Sequence, residues 1–411
     1  MATARAETTT PQIARISRPA LIIGAVALVI GIAGAFLSGI GQFFQSYLYA
    51  FVFWLVLSMG GLGLLILQYL TGGRWGQTIK RILEAMALTL PLMGILFLPI
   101  LGSVIAGNSP LYAWNQPAQV AGNHILELRA PYMNATWFTI RAVLYFAIWI
   151  GLTYGFVTLS RRQDRTGDPK VAGRLGRLAG LAIVLFVLSY SFAMIEWAMT
   201  TEKVWYSTMY PVLFIVSSAL TGLAFSSVVL SYIRGFAPLS KIANANRFHD
   251  LGSLTFAFTV LWTYVNFSQF LIMFSANIAE EAEFYVHRSA NGWQYLAQFI
   301  ILCCFALPFF TLLSRRTKRS PQRMRVLGIF ILFTQLINLF WVIVPGFHPE
   351  QLQVSWLDLV SLVAVGGLWL GTFTFWLGSR PLVTENDPRQ AASLERHPGD
   401  TFEGERTPAH A

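Results

Sequence analysis

The sequence predicts an all-α integral membrane protein: ten transmembrane helices forming two four-helix bundles, with two further helices at the periphery. Composition supplies the first part of that reading. Of the 411 residues, 55% are hydrophobic and 12% charged, and the mean hydropathy is +0.56. Soluble domains carry roughly 25% charged residues, so lipid must solvate most of this surface. Ten runs reach the roughly 20 apolar residues that cross a hydrocarbon core of ~30 Å. They cover about 20–40, 44–71, 79–107, 134–160, 174–200, 206–233, 250–276, 292–314, 324–345 and 355–378. Each must be helical, because hydrocarbon offers backbone N–H and C=O groups no partner.

The distribution of charge gives the topology. Of the 29 Lys and Arg residues, all but Arg129, Arg141, Lys203 and Arg288 lie at the two ends or on alternate connections between the runs. Basic connections stay in the cytoplasm, so both termini are expected there. The net charge of +10 then reflects topology. Because the basic residues flank spans and line no groove, nucleic acid is not expected as a partner; lipid is.

Taken in chain order, residues 1–17 are polar and read as a disordered cytoplasmic start. The first span, a peripheral helix over 18–43, reads as retained: its apolar run from Leu21 to Leu37 is long for a secretion signal, and Gly39–Gln42 is a poor cleavage site. Residues 44–200 and 201–345 each hold four spans. A weak repeat at an offset of 161 relates them, pairing Tyr49, Phe53, Gly61 and Leu62 with Tyr210, Phe214, Gly222 and Leu223. Gly60, Gly61 and Gly63, and Gly366, Gly367 and Gly371, mark close helix contacts. The last peripheral helix falls in 346–380. Residues 381–411 read as a disordered tail, poor in apolar residues. Cys303 and Cys304 are adjacent within the eighth span and read as buried hydrophobes.

Several chemistries are excluded. The histidines are His124, His287 and His348 in outer loops, His249 at an inner helix end, and His397 and His410 in the tail. With no mid-membrane pair, haem b has no bis-histidine site. Nor is there a cysteine cluster, a phosphate-binding GxxxxGK[ST] loop or an HExxH helix. What remains is ionisable groups in or beside spans, which are costly in lipid and mark pathways or pairs. In the seventh span Thr255, Thr259, Thr263, Asn266 and Gln269 share one helical face, with His249 and Asp250 at its cytoplasmic mouth. This stripe reads either as a proton route or as glue between helices with Asp250 as N-cap. Glu84, near the inner end of the third span, follows Lys80 and Arg81. It reads as a functional acid, or as half of an exposed surface pair. Arg141 and Glu196 lie at similar depth, ~8–11 Å in from the outer side, and a contact between them is expected, static or as a proton outlet. Ser355 and Asp358 fit a capping box. Thr334, Gln335 and Asn338 are expected to bond between helices, and Trp205, Tyr206, Phe284 and Tyr285 to form an interfacial belt.

Several segments resemble a known family. They are Leu70-Thr71-Gly72-Gly73-Arg74-Trp75-Gly76, Glu196-Trp197, Val204-Trp205-Tyr206-Ser207-Thr208-Met209-Tyr210, and Phe248-His249-Asp250-Leu251-Gly252. Phe267-Ser268-Gln269-Phe270, Asn277-Ile278 and Glu280-Glu281 follow in the same order. Over roughly residues 45–345 the chain resembles the F-type membrane subunits (ActF) of bacterial alternative complex III, relatives of the NrfD-like subunits of polysulfide reductases. The resemblance implies two four-helix bundles in a bacterial inner membrane. It also implies a complex that oxidises quinol and passes electrons to an iron–sulfur subunit and then to haem c subunits. It implies no cofactor held by this chain, with a quinone site possible, and a homologous C-type membrane subunit beside it. Glu84, His249, Asp250 and Glu196 match a proton-conducting role proposed for the family. Competing readings are a stand-alone secondary transporter, whose spans should be broken around a substrate site, and a purely structural anchor.

Overall fold

Among the described residues, ten helices of 21 to 33 residues are long and apolar enough to cross a membrane. In order they are Ile13–Ser38, Ile40–Thr71, Arg74–Ile105, Ala135–Thr166, Pro169–Thr201, Met209–Ile233, Ala245–Ala276, Trp293–Leu313, Pro321–Gly346 and Trp356–Gly378. The structure is a computed structural model that describes residues 10–236 and 239–383, the side chains of 10–12, 241 and 280 excepted. The expected disorder of the first nine residues and of the tail beyond 383 lies outside these, as do His397 and His410. Among the described residues there is no strand.

The helices outrun their hydropathy at the basic face. The third begins at Arg74, the fourth runs on to Thr166, the fifth starts at Pro169, the seventh at Ala245 and the ninth at Pro321. Hydropathy marks only the stretch in hydrocarbon; the extra turns are polar. Their starts are set by side-chain caps: Asp168, Asn244 and Ser320 each accept from a backbone N–H of the first turn. Asn244 therefore caps the seventh span, and Asp250 lies more than a turn inside it. Residues 10–17 are also helical, because Ile13 and Ser17 pack inside the protein. At the other end, Leu382 is buried too.

Two spans are irregular, and proline explains both. The third breaks between Ala87 and Leu90, one residue before Pro91; proline lacks an N–H and crowds the carbonyl four residues back. The freed groups are covered. Thr89 Oγ1 donates to Met86 O at 2.6 Å and lies 2.7 Å from Ser58 Oγ, which accepts from Trp369 Nε1 at 2.8 Å. The eighth widens to a π-helix over Ile301–Ala306, just before Pro308.

The second to fifth spans close one ring and the sixth to ninth another. The rings meet where the second and sixth spans cross. A Cβ on Gly60 would stand 2.2 Å from Ser218 O, and Gly222 lies against the same point. Only glycine lets the two backbones approach so closely. The first and tenth spans pack together outside the rings. Gly24 abuts Gly367 and Leu368, and Ser17 Oγ donates to Gly371 O at 2.8 Å. Trp54 of the second span seats the tenth, lying against Gly366 and donating to Leu362 O at 3.1 Å.

Candidate functional site

Glu196 is fully buried near the end of the fifth span that faces away from the basic side. A carboxylate there is tolerated only with partners. Its Oε1 takes three: Arg141 Nε at 2.6 Å, Tyr132 Oη at 2.7 Å and Tyr145 Oη at 3.0 Å. The expected contact between Arg141 and Glu196 thus forms, and Arg141 also stacks 3.9 Å above the Tyr132 ring. Glu196 Oε2 is buried without a hydrogen-bond partner. Trp149, Trp197, Phe97 and Phe146 pack into an aromatic cluster beside it. At the rim, burial and the hydrogen bond to Glu196 push the Tyr132 hydroxyl up to about 12. Its proton is held at any physiological pH, so Tyr132 remains a donor.

Glu84 occupies the other end of the same bundle. It is 1% exposed, so it is no surface pair. Because the third span starts early, Glu84 lies inside the packed helix ends. Arg81 Nη1 donates to Glu84 Oε2 at 2.7 Å, and its Nη2 bonds Asp164 of the fourth span. Arg380, beyond the tenth span, reaches Glu84 Oε2 at 3.3 Å; burial lowers its pKa. Lys80 lies over the Tyr69 ring. A cavity of about 10 Å³, room for one water molecule, opens between Arg81, Glu84, Trp376 and Arg380.

One face of the fourth span joins the two clusters. Arg141, Tyr145, Trp149, Thr153, Ser160 and Asp164 follow each other at helical spacing. Tyr145 binds Glu196; Trp149 Nε1 donates to Ser189 Oγ at 2.8 Å. Thr153 Oγ1 is buried with no hydrogen-bond partner. Ser160 Oγ accepts from Arg81 at 3.4 Å. From Tyr145 to Asp164 the helix rises roughly 28 Å at ~1.5 Å per residue. Between Thr153 and Ser160 the face carries Phe156, stacked on Tyr69 at 5.3 Å.

The seventh-span stripe is placed differently. Thr255, Thr259 and Gln269 are buried, Thr263 and Asn266 half-buried, so none of the five is on the lipid-exposed side. Each threonine hydroxyl donates to the carbonyl four residues back, Thr255 to Leu251, Thr259 to Thr255 and Thr263 to Thr259, at 2.8–2.9 Å. Asn266 does the same to Trp262. The stripe faces inward, but its three threonine hydroxyls and Asn266 donate to their own helix, and Gln269 bonds Tyr285 outside it. His249 is half-buried near Lys318, Arg315 and Arg319, and Asp250 lies 3.6 Å from Arg247. Glu84 and Glu196 belong to the first bundle, whereas His249, Asp250 and the stripe belong to the second.

Sequence reasoning missed several partners. Tyr132 and Tyr145 lie at i−9 and i+4 from Arg141 and carry no signal apart from it. Asp164 and Arg380 lie in polar stretches beyond the apolar runs, where a charge gives no signal of a buried partner. On the face away from the basic side, Arg288 is buried and donates to Glu202 Oε1 at 2.9 Å and to the carbonyls of Phe284, Trp341 and Val342. Burial lowers its pKa. Trp205 and Phe284 stack at 4.3 Å inside this face and form no belt; Tyr206 alone is well exposed. The side chains of Thr334 and Asn338 bond within the ninth span, to Ile331 O and Gln335 Oε1, while the Thr334 carbonyl accepts from Cys304 Sγ of the eighth span at 3.4 Å. The Ser355–Asp358 capping box is present, with Asp358 also accepting from Ser46 at 2.5 Å. Comparison with protein-family models and with curated proteins gives no match for this chain.

Proposed function

We propose that the chain is a membrane subunit of a quinol-oxidising complex and that it moves protons through its first four-helix bundle. The observation that carries this reading is a buried carboxylate at each end of one bundle, Glu84 and Glu196. Between them, hydroxyl and carboxyl side chains follow one face of the fourth span. Intramembrane acids of this kind are expensive and are kept for pairs or relays. Glu196 has one oxygen committed to Arg141 and two tyrosines, and one oxygen left over. Tyr145, Ser189, Thr153, Ser160 and Asp164 can pass a proton only with water filling the two-turn gap beside Phe156. The cavity next to Glu84 supplies the inner mouth.

The resemblance over residues 45–345 supports the identity of the complex. In this reading electrons stay on an iron–sulfur subunit and haem c subunits, a homologous C-type subunit lies alongside, and this chain holds no redox centre. Both chain ends lie in the cytoplasm of a bacterial inner membrane, so Glu84 takes up protons and the Glu196 cluster releases them. A transporter reading gains nothing from the broken third span, since Thr89, Ser58 and Trp369 fill the break.

The experiment is proton release by the intact complex in liposomes during quinol oxidation. Glu84→Gln and Tyr145→Phe should each keep quinol oxidation while proton release falls toward the amount that the oxidised quinol itself gives up. Unchanged proton release in both variants would falsify the route. Purification of the chain without haem c partners would remove the complex.

A further inference from the structure

The second bundle contains a polar site that neither cluster uses. Ser217 of the sixth span and Gln335 and Asn338 of the ninth are wholly buried. Three of their atoms, Ser217 Oγ, Gln335 Nε2 and Asn338 Oδ1, make no hydrogen bond to the protein. The two spans pack against each other, and helical periodicity sets these residues at one level. The sixth and ninth spans are antiparallel, and Gly328 lies against Ala224 and Val228. Seven residues on a helix return to nearly the same face after roughly 10 Å. Seven back from Ala224 is Ser217, and seven on from Gly328 is Gln335. Ser217 therefore opposes Gln335 two turns from the glycine contact. Asn338 lies beside Gln335, donating to its Oε1 at 3.3 Å.

What is left over is one amide donor, one amide acceptor and a hydroxyl that can act either way. Turning both amides over only exchanges the leftover donor and acceptor. The leftover amide donor disfavours a cation and the leftover amide acceptor an anion, so the site suits a small neutral ligand. We propose that Ser217, Gln335 and Asn338 hold an internal water molecule between the sixth and ninth spans. The water accepts from Gln335 Nε2, donates to Asn338 Oδ1 and exchanges a third bond with Ser217 Oγ. Three bonds is the usual complement of a buried water. Serine and the Gly328–Ala224 contact keep the helices close enough to enclose it. This inference stands apart from the proton route, which lies in the other bundle.

The test is a cryo-electron microscopy map of the full chain, in its complex in nanodiscs, at a resolution that shows ordered waters. A compact peak within hydrogen-bond distance of at least two of the three side chains is expected. In the variant Ser217→Ala, Gln335→Leu, Asn338→Leu that peak should vanish. If the variant does not assemble, X-ray hydroxyl-radical footprinting of the wild-type chain decides instead, because bound water labels residues that bulk solvent cannot reach. Labelling at buried Leu339 is then expected. Side chains rotated onto direct protein partners with no peak, an elongated peak from a larger ligand, or an unlabelled Leu339 would each overturn the assignment.

Discussion

Arg141 shows how a single charge is made tolerable in a bundle. Its guanidinium binds Glu196 and stacks on Tyr132. Removing one partner of such a buried pair leaves the other uncompensated, at a cost of about 3–5 kcal/mol. Arg141→Leu should lower thermal stability in detergent by that order, and Arg141→Leu with Glu196→Leu should recover much of it. A double variant as unstable as the single one would count against a mutual role. His348 offers a second test, outside the spans. Its Nε2 lies 2.9 Å from Gln45 Oε1, and burial lowers its pKa below the ordinary 6.5. A depressed folded pKa contributes stability that is present above the unfolded value and lost as pH falls through the folded one. The chain should therefore lose stability from about pH 6.5 downward, and His348→Gln should flatten that slope. The pairing of Arg141 with Glu196 was legible in the sequence because two isolated charges at one depth need each other. The tyrosines were not, since a tyrosine near an interface has an ordinary reason to be there.

Among the elements, the crossing of the second and sixth spans depends on absent side chains. Gly60→Val forces a Cβ into the Ser218 carbonyl, and overpacking of this kind costs about 1–3 kcal/mol or more. Gly102→Ala, with open space around it, should lose nothing in the same unfolding assay. The seventh span makes the opposite point. Its threonine stripe was legible as a shared face, but spacing cannot say where a hydroxyl sends its proton. Each sends it to its own helix. Thr259→Val should thus change stability by less than about 1 kcal/mol and leave proton release as it was. A large fall in proton release would return the second bundle to the route. Hydropathy found all ten spans yet misplaced several of their basic-face ends, because caps such as Asn244 and Ser320 act on turns that hydropathy scores as loop.

Over the whole molecule, the two rings and their offset glycines could be sketched from the repeat, whereas the joining of Glu84 to the tenth span through Arg380 could not. That contact spans 296 positions of sequence, and nothing local announces it. The same holds for the first and tenth spans, whose glycines interlock although one opens the described chain and the other closes it. This arrangement has a consequence for biosynthesis. The first helix enters the bilayer hundreds of residues before its partner is translated, and it must wait there with its contact face bathed in lipid. The tenth helix, which docks it, leaves the ribosome only much later, so a nascent chain halted before residue 356 keeps its first helix loose and open to quality-control proteases.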